Sequence, residues 1–318
     1  MKFEGPEKKL EIILTESRPD LRSNTTGFWD KVVQSAYTHI ISHQANSYFD
    51  AYLLSESSLF VYDNRIIIIT CGRSQLYRTV PVIFTCLQQS EVRYLFYERK
   101  NFIYPEAQQL ADFNAETKPF KELLGGKKFL FGQADGDYIR VYLAATPSQT
   151  AKKATSKDVT LEILMHEIAD EIASQFYFSA THHHDVLDHT GIGQLFAGRQ
   201  ILYDQYFFKP CGYSLNALLG EYYFTIHVTP EPECSYVSFE TNAILDDYTA
   251  LIQQVLACFR PRRFTLVMTC QGNSTQSDWA IPNHFVESYS KTTAIGGGYR
   301  MKVANCGEAP VLSASAKA

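Results

Sequence analysis

The chain has no long hydrophobic run and no paired metal-binding cysteines. Its longest purely aliphatic stretch is Ile66–Ile69, far shorter than the roughly 20 residues of a membrane helix. Met1–Glu4 is not followed by an apolar segment of the signal-peptide type, so we expect no secretory leader. The absence of any CxxC pair argues against a structural zinc site.

Basic residues do not outnumber acidic ones. The 318 residues include 29 Lys and Arg against 34 Asp and Glu, for a formal net charge of −5. This balance favours neither a nucleic-acid partner nor an anionic membrane surface. Seven scattered cysteines, an odd number, are typical of reduced thiols in a cytoplasmic protein. A hydrophobic content of 45% allows a large core, as one long domain or two fused similar halves.

A histidine-rich stretch, His182–His184 with His189, is the most obvious candidate for metal ligation. Adjacent histidines point in different directions and lack the usual ligand spacing of structural sites. We therefore predict no metal centre.

A β-hairpin is predicted in the first quarter of the chain. Two runs rich in β-forming residues, 59–62 and 65–70, flank Asp63 and Asn64, which tolerate the positive φ of a tight turn. A two-residue turn fixes the pairing of the strands. Glu56 would then face Cys71 across the hairpin, at a distance of roughly 4.5–5.5 Å between paired Cα atoms.

A second hairpin is predicted around Gly220 and Glu221. A turn there would pair Ser214 with His227, which places a hydroxyl beside an imidazole, the minimum for base-assisted chemistry. A plain core hairpin with a surface histidine fits the same pattern. A serine hydrolase is the weaker interpretation, because no acid is evident to orient the histidine.

The order of predicted elements repeats. Each half offers a strand, an amphipathic helix and hairpin material, with the first helix predicted over Gly27–His43 and the later one over Ile244–Phe259. The polar stretch Pro147–Asp158 is predicted to link the halves. This order indicates an α+β protein with two antiparallel sheets and helices on one face of each.

Three segments together resemble the eukaryotic-type S-adenosylmethionine decarboxylase family. They read FEGPEK at residues 3–8, LSESSLFV at residues 54–61 and TCG at residues 70–72. The resemblance implies a four-layer αββα sandwich of two antiparallel eight-stranded sheets, internally duplicated, with helices on the outer faces. It also implies a single domain over residues 1–318, with halves at about 1–150 and 151–318.

The resemblance implies that the chain cleaves itself between Glu56 and Ser57. The products would be a β chain, residues 1–56, and an α chain, residues 57–318. Ser57 would become a pyruvoyl group that forms a Schiff base with the substrate amine, so neither pyridoxal phosphate nor a metal is expected. His227 and Ser214 would act as proton acceptors in processing, and Cys71 would be the proton donor in decarboxylation.

The resemblance also implies residues that bind S-adenosylmethionine. Phe3 and Phe208 would stack on the adenine, and Glu231 would bind the ribose hydroxyls. Leu54 and Glu56 match positions that contact the adenine edge or flank the site. The family pattern further places Glu4 and Glu7 among the catalytic carboxylates.

Some family members are activated by the diamine putrescine. The charged cluster that binds it is matched here by Glu7, Phe96, Asp158, Thr160, Glu162 and Glu240, and Lys8 and Glu11 belong to the same charged neighbourhood. Lys9 occupies a position where plant-like members carry a basic residue that mimics the diamine, and Ile69 replaces a lysine found in many members. Activation therefore stays open at this stage.

Two alternatives share the predicted fold. One is a catalytically weak regulatory subunit, which would be expected to have lost Ser57 or the adenine-stacking residues. The other is a sister pyruvoyl decarboxylase that acts on another amino acid, which the presence of Phe3, Phe208 and Glu231 disfavours. The main prediction is an enzyme that supplies aminopropyl groups for spermidine and spermine, as a homodimer of αβ units.

Overall fold

The protein folds as two antiparallel sheets of eight strands each. The computed structural model describes residues 5–23, 26–103, 112–134, 136–146, 158–178, 186–272 and 279–309. Phe3, Glu4, His182–His184 and most of the predicted linker at 147–158 lie outside these ranges, and so do residues 310–318.

The first sheet is built from the N-terminal half. Its strands are β1 (Lys8–Leu14), β2 (Ile40–Ala45), β3 (Phe49–Leu54), β4 (Ser57–Tyr62), β5 (Arg65–Thr70), β6 (Val92–Lys100), β7 (Lys127–Gly132) and β8 (Tyr138–Ala145). Across the sheet they lie in the order β2-β3-β4-β5-β1-β6-β8-β7.

The second sheet is built from the C-terminal half. Its strands are β9 (Val159–Ile168), β10 (Leu202–Phe207), β11 (Tyr213–Leu219), β12 (Tyr222–Thr229), β13 (Tyr236–Thr241), β14 (Pro261–Gln271), β15 (Phe285–Gly296) and β16 (Tyr299–Glu308). Their order, β10-β11-β12-β13-β9-β14-β16-β15, repeats that of the first sheet strand for strand. The predicted internal duplication is confirmed.

Helices cover the outer faces of both sheets. They are α1 (Phe28–Ser35), α2 (Thr79–Ile83), α3 (Phe113–Leu124), α4 (Asp170–Ala173), α5 (Val186–Thr190) and α6 (Thr249–Phe259). One apolar cluster joins α1, α2 and α3 to the first sheet, and another joins α4, α5 and α6 to the second. Two further clusters combine side chains from both sheets, so the sheets pack face to face. The predicted four-layer αββα sandwich is confirmed.

Both predicted hairpins form with the expected register. Ser57 pairs with Thr70 between β4 and β5, and Ser214 pairs with His227 between β11 and β12. Short turns fix strand pairing locally, and buried faces on both sides penalise a slip of one residue.

The helix predictions were too long. The first helix ends at Ser35 rather than His43, because Tyr37 adopts a left-handed backbone with φ 65° and the β-branched Ile40 and Ile41 begin β2. The later helix begins at Thr249 rather than Ile244. Apolar residues before its true start fill the core without continuing the helical backbone.

Candidate active site

The backbone is strained where β3 turns into β4. Ser57 has a φ of 123°, which non-glycine residues rarely adopt. Such conformations cost on the order of 1–3 kcal/mol and persist only where the surrounding structure imposes them. The amide of Cys71 donates a hydrogen bond of 3.1 Å to the carbonyl oxygen of Glu56. The backbone at Ser57 is thus strained, and the carbonyl group of Glu56 is polarised.

Two side chains of the first sheet lie next to the peptide bond between Glu56 and Ser57, those of Ser57 and Cys71. The Ser57 hydroxyl is buried, and within the described residues it has no hydrogen bond of good distance and angle. The Cys71 thiol lies beside it and donates to Glu56 Oε2 at 3.8 Å. Burial, followed by the charge of Glu56, raises the pKa of Cys71 well above its usual value, so the thiol keeps its proton at neutral pH. Burial also raises the pKa of Glu56 to about 7.

The second sheet contributes a histidine and a serine. His227 Nδ1 lies 2.9 Å from the Ser214 hydroxyl oxygen. Burial alone lowers the pKa of His227 to about 3, so the ring is neutral at physiological pH. A neutral imidazole has a lone pair that can accept a proton, so His227 is in the protonation state that a base requires.

These groups line one cavity of about 270 Å³ between the ends of the two sheets. Its wall includes Glu56, Ser57, Cys71, Phe208, Ser214, His227 and Glu231. Gly5 also lines it, and a Cβ there would come within 2.5 Å of Thr229 Oγ1, so the close approach of the N-terminal segment requires glycine. The two hairpins thus bring together the predicted cleavage site, the predicted proton donor and the predicted processing pair.

Three predicted site residues, two of them substrate-binding and one catalytic, are not placed in the cavity. Leu54 is fully buried in the apolar cluster that faces the helices, because its side chain points to the opposite face of the first sheet. Phe3 and Glu4 lie outside the described residues. Phe208 and Glu231 do line the cavity, and Glu231 Oε2 is buried without a hydrogen bond from the described residues.

Glu7 lies between the sheets and links the cavity to a charged interior. It accepts a short hydrogen bond from Ser238 Oγ. Burial raises the pKa of Glu7 well above its usual value, opposed by the Ser238 hydrogen bond, and Glu240 and Glu162 raise it further. The charge of Glu7 in turn raises the pKa of Cys71. Glu7 is therefore electrostatically coupled both to the cavity and to the interior carboxylates.

The interior carboxylates are joined by basic side chains of the first sheet. Lys9 Nζ bonds Glu162 through a short contact and Glu240 at 2.8 Å. Arg65 bonds Asp158 at 2.8 Å and Glu11 at 3.1 Å. The predicted charged cluster is therefore assembled, and within the described residues its cations come from the chain itself.

The remaining predicted members flank these ion pairs. The Phe96 ring contacts Tyr299 edge-on, with ring centroids 4.9 Å apart, and Tyr299 donates a hydrogen bond of 2.5 Å to Asp158. Thr160 is buried on β9. Ile69 is fully buried.

The sequence analysis did not predict that Lys8 anchors the loop after Cys71. Lys8 Nζ donates to the carbonyl oxygens of Gly72 and Ser74, each at 2.7 Å, and lies 5.5 Å from the centroid of the Phe102 ring. Burial lowers the pKa of Lys8 to about 8. This ammonium holds the loop that follows Cys71. The signal for it was a lysine at the start of a strand-forming segment.

Sequence reasoning also missed a polar group behind the histidine. Ser58, Asn216 and Thr225 lie around His227 Nε2. Asn216 and Thr225 are two residues from Ser214 and His227, as alternation along a strand places side chains on one face. That alternation was the signal for these residues.

Across the described ranges, no helix has the length and apolar character needed to cross a membrane. In the same part of the chain, no group of three or more His, Cys, Asp or Glu side chains is arranged to hold a metal ion.

Comparisons with known proteins show which family the chain matches. A family model described as adenosylmethionine decarboxylase matches residues 1–308. The S-adenosylmethionine decarboxylase proenzyme of Dictyostelium discoideum is 34% identical over 328 residues, covering 95% of this chain and 85% of that protein. The proenzyme of Xenopus laevis is 35% identical over 280 residues, covering 84% of this chain and 82% of that protein.

A solved structure has the same fold. The crystal structure of the Trypanosoma brucei AdoMetDC-delta26 monomer aligns with a TM-score of 0.63 and 24% identity, covering 79% of this chain and 99% of that one. Fold and sequence together define a decarboxylase class of protein. The chain belongs to the adenosylmethionine decarboxylase family, and the predicted family and enzyme class are confirmed.

Proposed function

We propose that this chain is a proenzyme that cleaves itself between Glu56 and Ser57 and then decarboxylates S-adenosylmethionine. The observation that carries the proposal is the strained, polarised peptide at Ser57, which opens on the same cavity as Cys71, Ser214 and His227. Strain of this kind clusters at functional sites.

Cleavage begins with an acyl shift. Ser57 Oγ attacks the Glu56 carbonyl carbon, a C–O bond forms, the peptide C–N bond breaks, and the hydroxyl proton passes to the nitrogen. An ester replaces the amide. The Cys71 amide stabilises the developing oxyanion because it already donates to that carbonyl oxygen. The shift also releases the backbone strain at Ser57.

Elimination then separates the two chains. His227 takes the Cα proton of Ser57, the electron pair forms a Cα–Cβ double bond, and the ester C–O bond breaks. Glu56 leaves as the C-terminal carboxylate of the β chain, residues 1–56. Water replaces the amino nitrogen as ammonia, and a ketone stays at the start of the α chain, residues 57–318.

The pyruvoyl group supplies the electron sink that decarboxylation of an amino acid needs. The residues present fit such a group, because the buried Ser57 hydroxyl lies beside the protonated thiol of Cys71. Cys71 would hold the proton that the substrate α-carbon receives. No metal or pyridoxal phosphate enters this proposal.

Substrate selection rests on the cavity wall. Phe208 offers an aromatic face to the adenine and its neighbouring sulfonium cation. Glu231 lines the same cavity with a buried oxygen that no described residue hydrogen-bonds, a suitable acceptor for ribose hydroxyls. Phe3 and Glu4 stay predictions that rest on the resemblance, and Leu54 is given no substrate contact because its side chain faces the helices. The product would be the aminopropyl donor for spermidine and spermine.

The charged interior is proposed to work without a bound diamine. Lys9 bridges Glu162 and Glu240, the position that putrescine would otherwise neutralise. The cation supplied by Lys9 favours a constitutively active enzyme with a weak response to putrescine.

A homodimer of cleaved αβ units is proposed for the assembled enzyme, in the cytoplasm. Each sheet ends in a strand paired on one side, β7 in the first sheet and β15 in the second. These two strands pack near one another, and open edges of this kind can pair with a second copy.

The direct test is release of carbon dioxide from carboxyl-labelled S-adenosylmethionine by the purified chain. The parent protein should release it, and Ser57→Ala should not. A cleaved parent chain that binds the substrate but releases none would instead favour the regulatory-subunit alternative. Release by Ser57→Ala at the parent rate would refute the proposal.

A further inference from the structure

Both ring nitrogens of His227 have polar neighbours. Nδ1 lies 2.9 Å from Ser214 Oγ, and Ser214 lines the cavity together with Ser57. On the opposite side, Nε2 lies 3.0 Å from Thr225 Oγ1 and 3.2 Å from Ser58 Oγ. Ser58 belongs to the first sheet, so the ring is held from both sheets.

The two hydroxyls behind the ring have other acceptors for their protons. Thr225 Oγ1 lies 2.9 Å from the Leu215 carbonyl oxygen and 3.0 Å from Asn216 Oδ1. Ser58 Oγ lies only 2.6 Å from Asn216 Oδ1. These oxygens can only accept, and a hydroxyl has a single proton to donate. Both hydroxyls therefore present lone pairs to Nε2.

Only one tautomer of the ring can donate a hydrogen bond to those lone pairs. His227 is 6% exposed, and burial holds it neutral. A neutral imidazole carries one N–H, on either Nδ1 or Nε2. A proton on Nε2 donates to Thr225 and Ser58, whereas a proton on Nδ1 would leave Nε2 facing two oxygens as a third acceptor.

We propose that Thr225, Ser58 and Asn216 are positioning residues that fix His227 as the Nε2–H tautomer. The inference rests on the proposed self-cleavage and extends it. The lone pair then lies on Nδ1, which faces Ser214 Oγ in the wall of the cavity that Ser57 also lines.

This arrangement serves the proton transfer at two stages. Before transfer, the basic lone pair faces the cavity without a tautomer change. After transfer, Nε2–H still donates to the oxygens behind the ring, which stabilises the imidazolium in a buried setting. Ser214 accepts from Nδ1–H in that state.

The kinetic test compares self-cleavage rates. Thr225→Val keeps the side-chain shape and removes the acceptor, so cleavage should slow by about ten- to a hundredfold. Thr225→Ser should recover most of the rate. The matched control is Thr265→Val. Thr265 is a buried threonine on β14, and its Oγ1 donates a hydrogen bond of 2.9 Å to Asn305 Oδ1. In strand order β14 is separated from β12, the strand of His227, by β13 and β9. Cleavage by Thr225→Val at the Thr265→Val rate would overturn the inference.

The spectroscopic test reads the tautomer itself. Nitrogen-15 shifts of the histidine rings, recorded in uncleaved Ser57→Ala and assigned by loss of a signal in His227→Gln, separate Nε2–H from Nδ1–H. We expect Nε2–H, and Nδ1–H would overturn the inference. This measurement needs no cleavage, so it distinguishes an error about the tautomer from an error about the proposed function. It also holds if Thr225→Val fails to fold.

Discussion

Replacement of Lys9 by methionine tests the role of the charged interior. Lys9 is buried, and its ammonium bridges Glu162 of β9 and Glu240 of β13. Methionine has a similar length and no charge. Lys9→Met therefore removes the cation and leaves two buried carboxylates facing one another.

The expected loss of stability is large. Breaking a buried ion pair by removing one partner costs about 3–5 kcal/mol. For a chain of this size, at about 2 °C per kcal/mol, the melting temperature should fall by roughly 6–10 °C. An exposed lysine offers the control. Lys118 is 74% exposed with a weak contact to Glu122, and Lys118→Met should change stability by less than about 0.5 kcal/mol.

The pH dependence follows from the carboxylates. Burial raises the pKa of Glu162, which Lys9 opposes. Without Lys9 the pKa of Glu162 rises further in the folded variant. In the unfolded chain Glu162 has its ordinary pKa of 4.5, so above that pH the folded variant holds a proton that the unfolded chain has released. Stability is then present at acid pH and lost as pH rises. The loss of folding stability caused by Lys9→Met should be smaller at about pH 5 and larger at about pH 8.

Thermal unfolding should be measured in the uncleaved Ser57→Ala background, where one chain unfolds as a unit. Added putrescine should raise the melting temperature of Lys9→Met and leave the Lys9 protein nearly unchanged, since only the variant lacks an internal cation. Equal stability of Lys9→Met and Lys118→Met at about pH 8 would refute the reasoning, and so would an equal putrescine response in both.

Three further substitutions probe the cavity. Burial raises the pKa of Glu56 to about 7, so the stability that protonated Glu56 contributes is lost as pH rises through that value. In the Ser57→Ala background, Glu56→Gln should therefore be more stable, relative to its parent, at about pH 8 than at about pH 5. The same pH profile of urea unfolding in both proteins would contradict the shift. Cys71→Ala should still cleave but lose about 10²–10⁴-fold in kcat for decarboxylation, and normal turnover would remove its role as proton donor. Glu231→Gln should raise KM by about tenfold with little change in kcat, whereas a change in kcat alone would argue against a role in binding.

The hairpins were predictable because their information is local. Asp63 and Asn64 fix a turn, the turn fixes the register, and the register brings Glu56 to Cys71. The same logic placed Ser214 opposite His227. Strand pairing through a short turn involves few residues, so the sequence alone specifies it.

Contacts across the two sheets were not predictable in this way. Lys9 reaches Glu240 over 231 positions, and Ser58 reaches His227 over 169. Nothing local in β1 or β4 specifies which strand of the other sheet lies opposite. The duplicated topology provides that information, and only resemblance to a family suggested the charged cluster beforehand.

The end of the first helix shows a different limit. Apolar residues continue at helical spacing past Ser35, but Tyr37 turns left-handed and Ile40 joins a strand. Periodicity does not report a change of backbone direction, whereas the β-branched pair Ile40 and Ile41 was a local sign of it.

The central claim is that the backbone between Glu56 and Ser57 breaks by its own chemistry. The decisive measurement is the mass of the purified protein under denaturing conditions, before and after borohydride. We predict two chains whose larger member starts at position 57, is lighter by one ammonia than a chain starting with serine, and gains two hydrogens on reduction. A single uncleaved chain that decarboxylates S-adenosylmethionine at full rate would contradict the account.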